Sequence, residues 1–399
     1  MRHTVRMLLA VAFVMLLGMG TSHADEPASR NIRRRGELFN SRIVFEAKKT
    51  GHVAFMGGSI TAMNGYRPMV TAFLAKRFPQ TKFTFTDAGI SSTCSTSGVF
   101  RLKRDVLSKG PVDLFFVEFA VNDDQDAGHA RRECIRGMEG VVRQIRRHNP
   151  RADIVITHFV NPSMLETVQQ GGTPLTVAAH ETVAERYAVS TIDLTREVAD
   201  RIKAGSLTWA KYGGTHPKPF GNAIAASLIE RLLTDVWAGP LTVDGLKLHP
   251  TPKGPVDPLH YGQGRFLDPK VVTVVKDWER RVPDWKNIPG GKRSQFTSIP
   301  IFVATKPGAE LSLSFEGTAV GAFVVAGPDA GRLEAAVDGG EFRTVDLYHR
   351  FSAGLHYPRT VMLATDLKPG QHTLRVRLSE KKNGKSKGTA ARVMQFTAN

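Results

Sequence analysis

Ser59, Gly89 and Asn122 each stand just past an apolar run of this sequence, and His216 stands just before a helical one. Gly57-Gly58-Ser59-Ile60-Thr61 ends the run 52–56, which reads as a short buried strand of a parallel sheet. The paired glycines allow a sharp turn into the helix that 67–78 predicts. The Ser59 hydroxyl then stands at a carboxyl edge, where open α/β sheets bind their ligands. Asp87-Ala88-Gly89-Ile90-Ser91-Ser92 follows the run 83–85, so Gly89 presents a backbone N–H at a second edge. Asn122-Asp123-Asp124 ends the run 114–121 and brings an amide to a third. His216, in Gly213-Gly214-Thr215-His216-Pro217 ahead of the helix 221–233, can reach back to the serine. The chemistry of such a set is acyl transfer. It has a hydroxyl nucleophile, an imidazole base and three donors for an oxyanion: the N–H groups of Ser59 and Gly89 and the amide of Asn122. A Gly-Gly-Ser turn alone is equally an ordinary connector or an anion-binding loop, so the three later segments turn the reading toward catalysis.

In this order of short blocks the chain resembles the SGNH (GDSL-like) hydrolase superfamily. Gly57-Gly58-Ser59-Ile60-Thr61 stands for the serine block and Val121-Asn122-Asp123 for the asparagine block, and the resemblance covers roughly residues 53–233. It implies an acyl-enzyme on Ser59 with His216 as base, an oxyanion held by Ser59, Gly89 and Asn122, and a three-layer, flavodoxin-like α/β/α sheet. One block departs from the pattern: the Asp usual three residues before the histidine is Gly213 here. An acid at that place fixes the imidazole tautomer, and its loss can cost about 10⁴ in rate. Three outcomes stand. A carbonyl within 209–213 orients the ring to give a Ser-His dyad, an acid such as Asp123 or Asp124 folds into reach, or the chain is inactive. The carbonyl-supported dyad needs only local loop geometry and is the expected arrangement.

The loops need a sheet beneath them. Apolar segments at 53–56, 83–86, 114–119, 154–157 and 190–193 alternate with longer helical patterns, which predicts a parallel sheet covered on both faces. Residues 241–268 are rich in Pro and Gly and read as a linker or ordered crossover, and 271–281 as a short helix or strand. Beyond 296 the pattern alternates in twos: Leu311, Leu313 and Phe315 against Ser312 and Ser314, then Leu374, Val376 and Leu378 against Arg375 and Arg377. Asp338-Gly339-Gly340 marks a hairpin turn. The expected fold class is α/β with a second, antiparallel β-sandwich domain. Residues 1–24 are read as a signal peptide, 25–240 as the catalytic domain, 241–290 as the linker or crossover and 291–399 as the sandwich.

A chain of 399 residues, 41% hydrophobic and 23% charged, is long enough for two globular domains. Arg2, His3 and Arg6 precede an apolar stretch at 7–19, and Thr21-Ser22-His23-Ala24 offers small residues for cleavage after Ala24, so a secreted or periplasmic protein is expected. No later apolar stretch has the length of a membrane span. Cys94 and Cys134 would hang from the same sheet edge, where a disulfide tying two active-site loops and two buried thiols are equally good readings. No paired Cys or His spacing suggests a metal, and no cofactor is expected. The net charge of +17 is spread along the chain. Arg143, Arg146 and Arg147 read as the solvated face of a helix whose inner face is Ile135, Met138, Val142 and Ile145, and Arg33-Arg34-Arg35 as a solubilising patch. A nucleic-acid partner is not expected; anionic glycans or cell-surface polymers fit better.

Some exported members of the resembled superfamily carry a β-sandwich and deacetylate polysaccharides. The layout therefore resembles a carbohydrate esterase, with an acylated small molecule or polysaccharide as substrate and O-deacetylation as the reaction. Tyr348, His349, Phe351, His356 and Tyr357 cluster in the second unit as a sugar platform or, by default, as a core strand followed by a loop. His158, His180 and His260 lack the block context of His216 and read as structural. A lipid esterase or thioesterase and a noncatalytic glycan-binding protein are the rival functions.

Overall fold

In the computed structural model, which describes residues 30–241 and 245–399, the apolar runs of the first half become one six-stranded sheet. The expected signal segment, 1–24, lies outside the described residues. The strands are β1 (Ile32–Arg33), β2 (Thr50–Gly57), β3 (Lys82–Gly89), β4 (Leu114–Val117), β5 (Asp153–His158) and β6 (Ser190–Asp193), in the spatial order β1-β6-β5-β4-β2-β3. Strands β2 to β6 are parallel, and β1 is an antiparallel edge. From β2 the chain builds outward to β3 on one side and to β4, β5 and β6 on the other. The order thus reverses between β2 and β4, and a crevice opens there at the carboxyl ends.

Alternation along the strands splits their side chains between two cores. Val53, Phe55, Phe116 and Val155 enter one, and Ala54, Met56, Phe115 and Ile154 the other. Burial on both faces is why these strands read as unbroken apolar runs. The helices are α1 (Phe39–Ala47), α2 (Ser59–Ala62), α3 (Tyr66–Arg77), α4 (Ser95–Asp105), α5 (Arg131–His148), α6 (Pro162–Gln169), α7 (Leu175–Arg186), α8 (Leu194–Lys203), α9 (Trp209–Tyr212) and α10 (Pro219–Val236). Phe45, Leu74, Met164, Val198 and Ile229 bring α1, α3, α6, α8 and α10 onto the first face. Leu102, Met138 and Val183 bring α4, α5 and α7 onto the second.

The C-terminal part is a pair of antiparallel sheets. One runs β15 (Tyr357–Ala364), β12 (Val320–Ala326), β17 (Ala391–Ala398), β10 (Ile301–Ala304) and β9 (Glu279–Arg281), with β7 (Arg265–Phe266) beside β17. The other runs β14 (Arg343–Asp346), β13 (Arg332–Val337), β16 (Gly370–Leu378), β11 (Glu310–Gly317) and β8 (Val272–Lys276). The predicted inward residues Leu311, Leu313, Phe315, Leu374, Val376 and Leu378 all lie in its core. The stretch 241–290, read as a linker or ordered crossover with a short helix or strand at 271–281, packs on both parts of the molecule. Its latter part supplies β7, β8 and β9 to the sandwich, while Gln144 on α5 fixes the part before them by donating to Tyr261 O and Gly264 O.

The reading of the basic clusters is corrected in part. Arg146 is 3% exposed and donates to Tyr187 O and Pro250 O, so it clamps the crossover down on α5 instead of facing water, while Arg147 stays exposed as expected and also donates to Gly262 O. Arg33 and Arg35 pair with Glu181 at 2.7 and 2.5 Å and fasten the edge next to β6. Among the described residues no helix is long and apolar enough to cross a membrane.

Candidate active site

Strand β2 ends at Gly57, and one residue later α2 begins with Ser59. The glycines between them supply room, not a left-handed turn. Gly58 has φ −87°, and an added side-chain carbon would lie 2.1 Å from Glu118 Oε1 at Gly57 and 2.0 Å from Asn122 Oδ1 at Gly58. The serine loop is thus pressed directly on the end of β4, across the point where the strand order reverses.

His216 arrives from the loop between α9 and α10. At the start of α10, Asn222 donates to Pro217 O at 2.6 Å and accepts from Tyr66 N at 2.9 Å, tying the histidine loop to the first residue of α3. His216 Nε2 then lies 2.8 Å from Ser59 Oγ, with the ring exposed to solvent. The two residues expected to meet do meet.

The third group expected around the ring is not there. Asp123 is buried against His180 and the Ser95 N–H, and Asp124 accepts from Asn161 and Ser163. The Trp209 and Tyr212 carbonyls accept from Gly213 N and Lys218 N, and among the described residues no hydrogen bond reaches His216 Nδ1. Nor does the loop have space for the usual acid. Gly213 sits at φ +112°, and a side-chain carbon there would be 2.1 Å from the backbone nitrogen of Lys218. Gly213→Asp is therefore expected to destabilise the protein, with roughly 1–3 kcal/mol from backbone strain alone, and to bring no gain in turnover. Thermal unfolding beside ester kinetics checks both halves; a stable variant with faster turnover would contradict this account of the loop.

The donors expected for an oxyanion are only partly available. The Ser59 N–H belongs to the first turn of a helix, where no intrahelical acceptor exists. Asn122, 1% exposed on a wide turn (Asn122–Asp126), gives its amide to the Asp126 carboxylate. Gly89 N donates to Asp87 Oδ1 at 2.9 Å, and Asp87 pairs with Arg67. An incoming anion must therefore displace Asp126 from Asn122 and compete with Asp87 for Gly89.

Two residues that build the site were not singled out in the sequence. Glu118 lies at the end of β4 and accepts from Gly58 N at 2.9 Å and Thr61 Oγ1 at 2.8 Å, bracing the serine turn from below. Arg101, fully buried, donates to Gly57 O and Ala88 O and so joins the ends of β2 and β3. For Glu118 the signal was a lone charged residue inside an apolar run, which in a core must have found a partner. Burial lifts the Glu118 carboxyl to about 7, against the hydrogen bonds from Thr61 and Gly58. The unfolded chain releases this proton near 4.5 and the folded chain only near 7, so folding stability falls as pH rises through that window and levels off above it. Glu118→Gln is expected to flatten the dependence. The wild-type stability relative to the variant should drop by up to roughly 3 kcal/mol between pH 4.5 and 8, read by denaturant unfolding, and a difference constant with pH would contradict it.

The sandwich grips the loops that follow Gly89 and Asn122. Arg293 donates to Ser91 O and Ser92 Oγ, Tyr357 OH donates to Ser92 O, His349 Nε2 lies 2.8 Å from Asp126 O, and Arg350 donates to Gln125 O. His349 stacks on Tyr357 with ring centres 4.4 Å apart, and Phe351 beside them is 43% exposed. The aromatic cluster therefore stands at the junction with the Asn122 turn. Cys94 and Cys134 are buried free thiols, so the disulfide reading is set aside. His158 and His180 are buried against Glu181 and Asp123.

Residues 55–224 match the GDSL-like lipase/acylhydrolase family. The fold is similar to that of a two-domain esterase active on acetylated mannans, in a crystal structure with mannopentaose: 21% identity over 93% of this chain and 97% of that one, TM-score 0.74. A second crystal structure of such an esterase gives 22% identity over 93% and 98% of the chains, again with TM-score 0.74. No curated protein matches the chain.

Proposed function

We propose that the chain, whose residues 55–224 match the GDSL-like lipase/acylhydrolase family, is an exported serine esterase that removes acetyl groups from a polysaccharide through a Ser59–His216 dyad. The observation that carries the reading is the 2.8 Å contact between His216 Nε2 and Ser59 Oγ at the reversal point of the sheet. His216 takes the hydroxyl proton as Ser59 Oγ attacks the ester carbonyl. The tetrahedral anion turns to the Ser59 N–H and to the Asn122 amide, which leaves Asp126; each such donor is worth about 3–4 kcal/mol. His216 then protonates the departing alcohol, and water activated by the same imidazole frees the acid. With no described residue bonded to Nδ1, the imidazolium relies on solvent, which the exposure of the residue allows.

A glycan substrate is supported by Phe351, a partly exposed ring with the Arg350 guanidinium 4.9 Å from its centre, beside His349 and Tyr357 and next to the turn that holds Asn122. Aromatic faces of this kind stack on sugar rings, and a two-domain esterase of the same fold acts on acetylated mannans. The test is acetate release from acetylated mannan, xylan and cellulose beside a chain-length series of aryl esters. Release from at least one polymer and a steep loss beyond short acyl chains are expected. A preference for long acyl chains with no release from any polymer would replace this reading with a lipid esterase.

A further inference from the structure

A second nucleophile, apart from Ser59, sits where the two parts of the molecule meet. A cavity of about 380 Å³ opens between the Asn122 turn and strands β14 and β15, and Cys94, His129, Arg359 and Thr360 are in its wall. Cys94 immediately precedes α4, and its Sγ lies 3.9 Å from His129 Nε2, which also meets Thr96 Oγ1 at 3.1 Å. The other ring nitrogen of His129 faces Asp123 Oδ1 at 3.5 Å. Asp123 is fully buried and fixed by Ser95 N at 2.8 Å and His180 Nε2 at 2.9 Å. Thiol, imidazole and carboxylate stand in the order that activates a thiol.

We propose that Cys94 is a thiolate in the folded protein and a modification site, reacting with small hydroperoxides that enter through this cavity. Two neighbours point to a polar reactant. The Arg359 guanidinium lines the cavity with no hydrogen bond or ion pair among the described residues. Thr360, 8% exposed, has a hydroxyl without a partner. In the reaction the sulfur attacks the distal peroxide oxygen, the S–O bond forms as the O–O bond breaks, and the leaving oxygen takes the proton of the His129 imidazolium. Cys94 ends as the sulfenic acid, and the hydroperoxide is reduced to water or an alcohol.

The charges around the sulfur are mixed. Asp126, Glu133 and Asp346 line the same cavity as Arg359, with Tyr357 beside them. Burial works to raise the thiol, but the charge and hydrogen bond of His129 outweigh it and hold Cys94 below the ordinary thiol range. Cys134, which donates to the His129 carbonyl at 3.8 Å, is instead pushed up to about 11 by burial. The sulfur, a ring nitrogen and an Asp123 oxygen lie within 4.8 Å of one another, a span that suits a cation. The Asp123 oxygens are already held by Ser95 and His180, however, and the two ring nitrogens face different partners, so the imidazole bridges the pair instead of joining it around an ion.

The test uses the intact protein and does not depend on the esterase reading. Iodoacetamide labelling from pH 5.5 to 9 is mapped by mass spectrometry, and in a second experiment dilute hydrogen peroxide is added with dimedone, which traps sulfenic acids. An ordinary thiol of pKa about 8.5 is only about 1% thiolate at pH 6.5. Cys94 is expected to be alkylated with a midpoint below that of an ordinary thiol and at least tenfold faster than Cys134 at pH 6.5. The dimedone adduct should fall on Cys94 alone, and His129→Asn should move the midpoint above 8. A wild-type midpoint at or above that of an ordinary thiol, labelling of Cys94 only after denaturation, or a peroxide-treated protein without the Cys94 adduct would overturn the proposal. The wild-type profile carries the test even if His129→Asn fails to fold.

Discussion

Ser59→Ala is expected to lower kcat for acetate esters by about 10⁴- to 10⁶-fold while leaving the unfolding transition in place. The size follows from the role. Without the hydroxyl no acyl-enzyme forms, and what remains is the binding of the ester beside the Ser59 N–H and Asn122, which stabilise only the slow attack of water. The fold should persist because Ser59 is partly exposed, at the first position of a four-residue helix, and the turn is braced by Glu118 through Gly58 N and Thr61 Oγ1, not through the serine side chain. Progress curves with an aryl acetate and a circular-dichroism melt check the two parts together. A folded variant that turned over at an undiminished rate would remove Ser59 from the chemistry.

His216→Ala should cost nearly as much, about 10⁴-fold or more, because the imidazole is the only base bonded to the serine oxygen among the described residues. Its second signature is non-additivity: the Ser59→Ala, His216→Ala double variant should be no slower than the worse single one, as two parts of one proton-transfer unit require. The dyad sharpens this expectation. Where a carboxylate usually supports the far nitrogen, the chain has Gly213, and Asp123 and Asp124 are committed to His180 and to Asn161 and Ser163. Neither of these two acids is placed to take over when the imidazole is gone. Independent losses that multiplied in the double variant would mean that the two residues act in separate steps.

What the sequence disclosed and what it hid follow from the range of the forces involved. Strand positions, the turn to Ser59 and the alternation of Leu311, Leu313 and Phe315 are local patterns of burial and could be read off the chain. The convergence of Ser59 and His216 was legible because each sits at the end of a regular element whose neighbours set its edge. Contacts between distant segments were not legible. The clamping of Arg146 on Tyr187 O and Pro250 O, the hold of His349 and Arg350 on the Asn122 turn, and the Asp126 carboxylate on the Asn122 amide all join residues with no pattern in common. The strand β8 was ambiguous for a related reason: it is an edge strand with four of its five residues exposed, so alternation leaves little trace in it. The missing acid was visible as a glycine, but only the fold shows that no side chain fits there.

The central claim, that Ser59 is a nucleophile activated by His216, is tested most directly by covalent capture. Incubation with a serine-directed organophosphonate, followed by peptide mass spectrometry, is predicted to place one equivalent on Ser59 in step with the loss of ester hydrolysis, and to place almost none in the His216→Ala protein. Hydrolysis lost through an adduct on another residue, or continuing while Ser59 is fully modified, would contradict it.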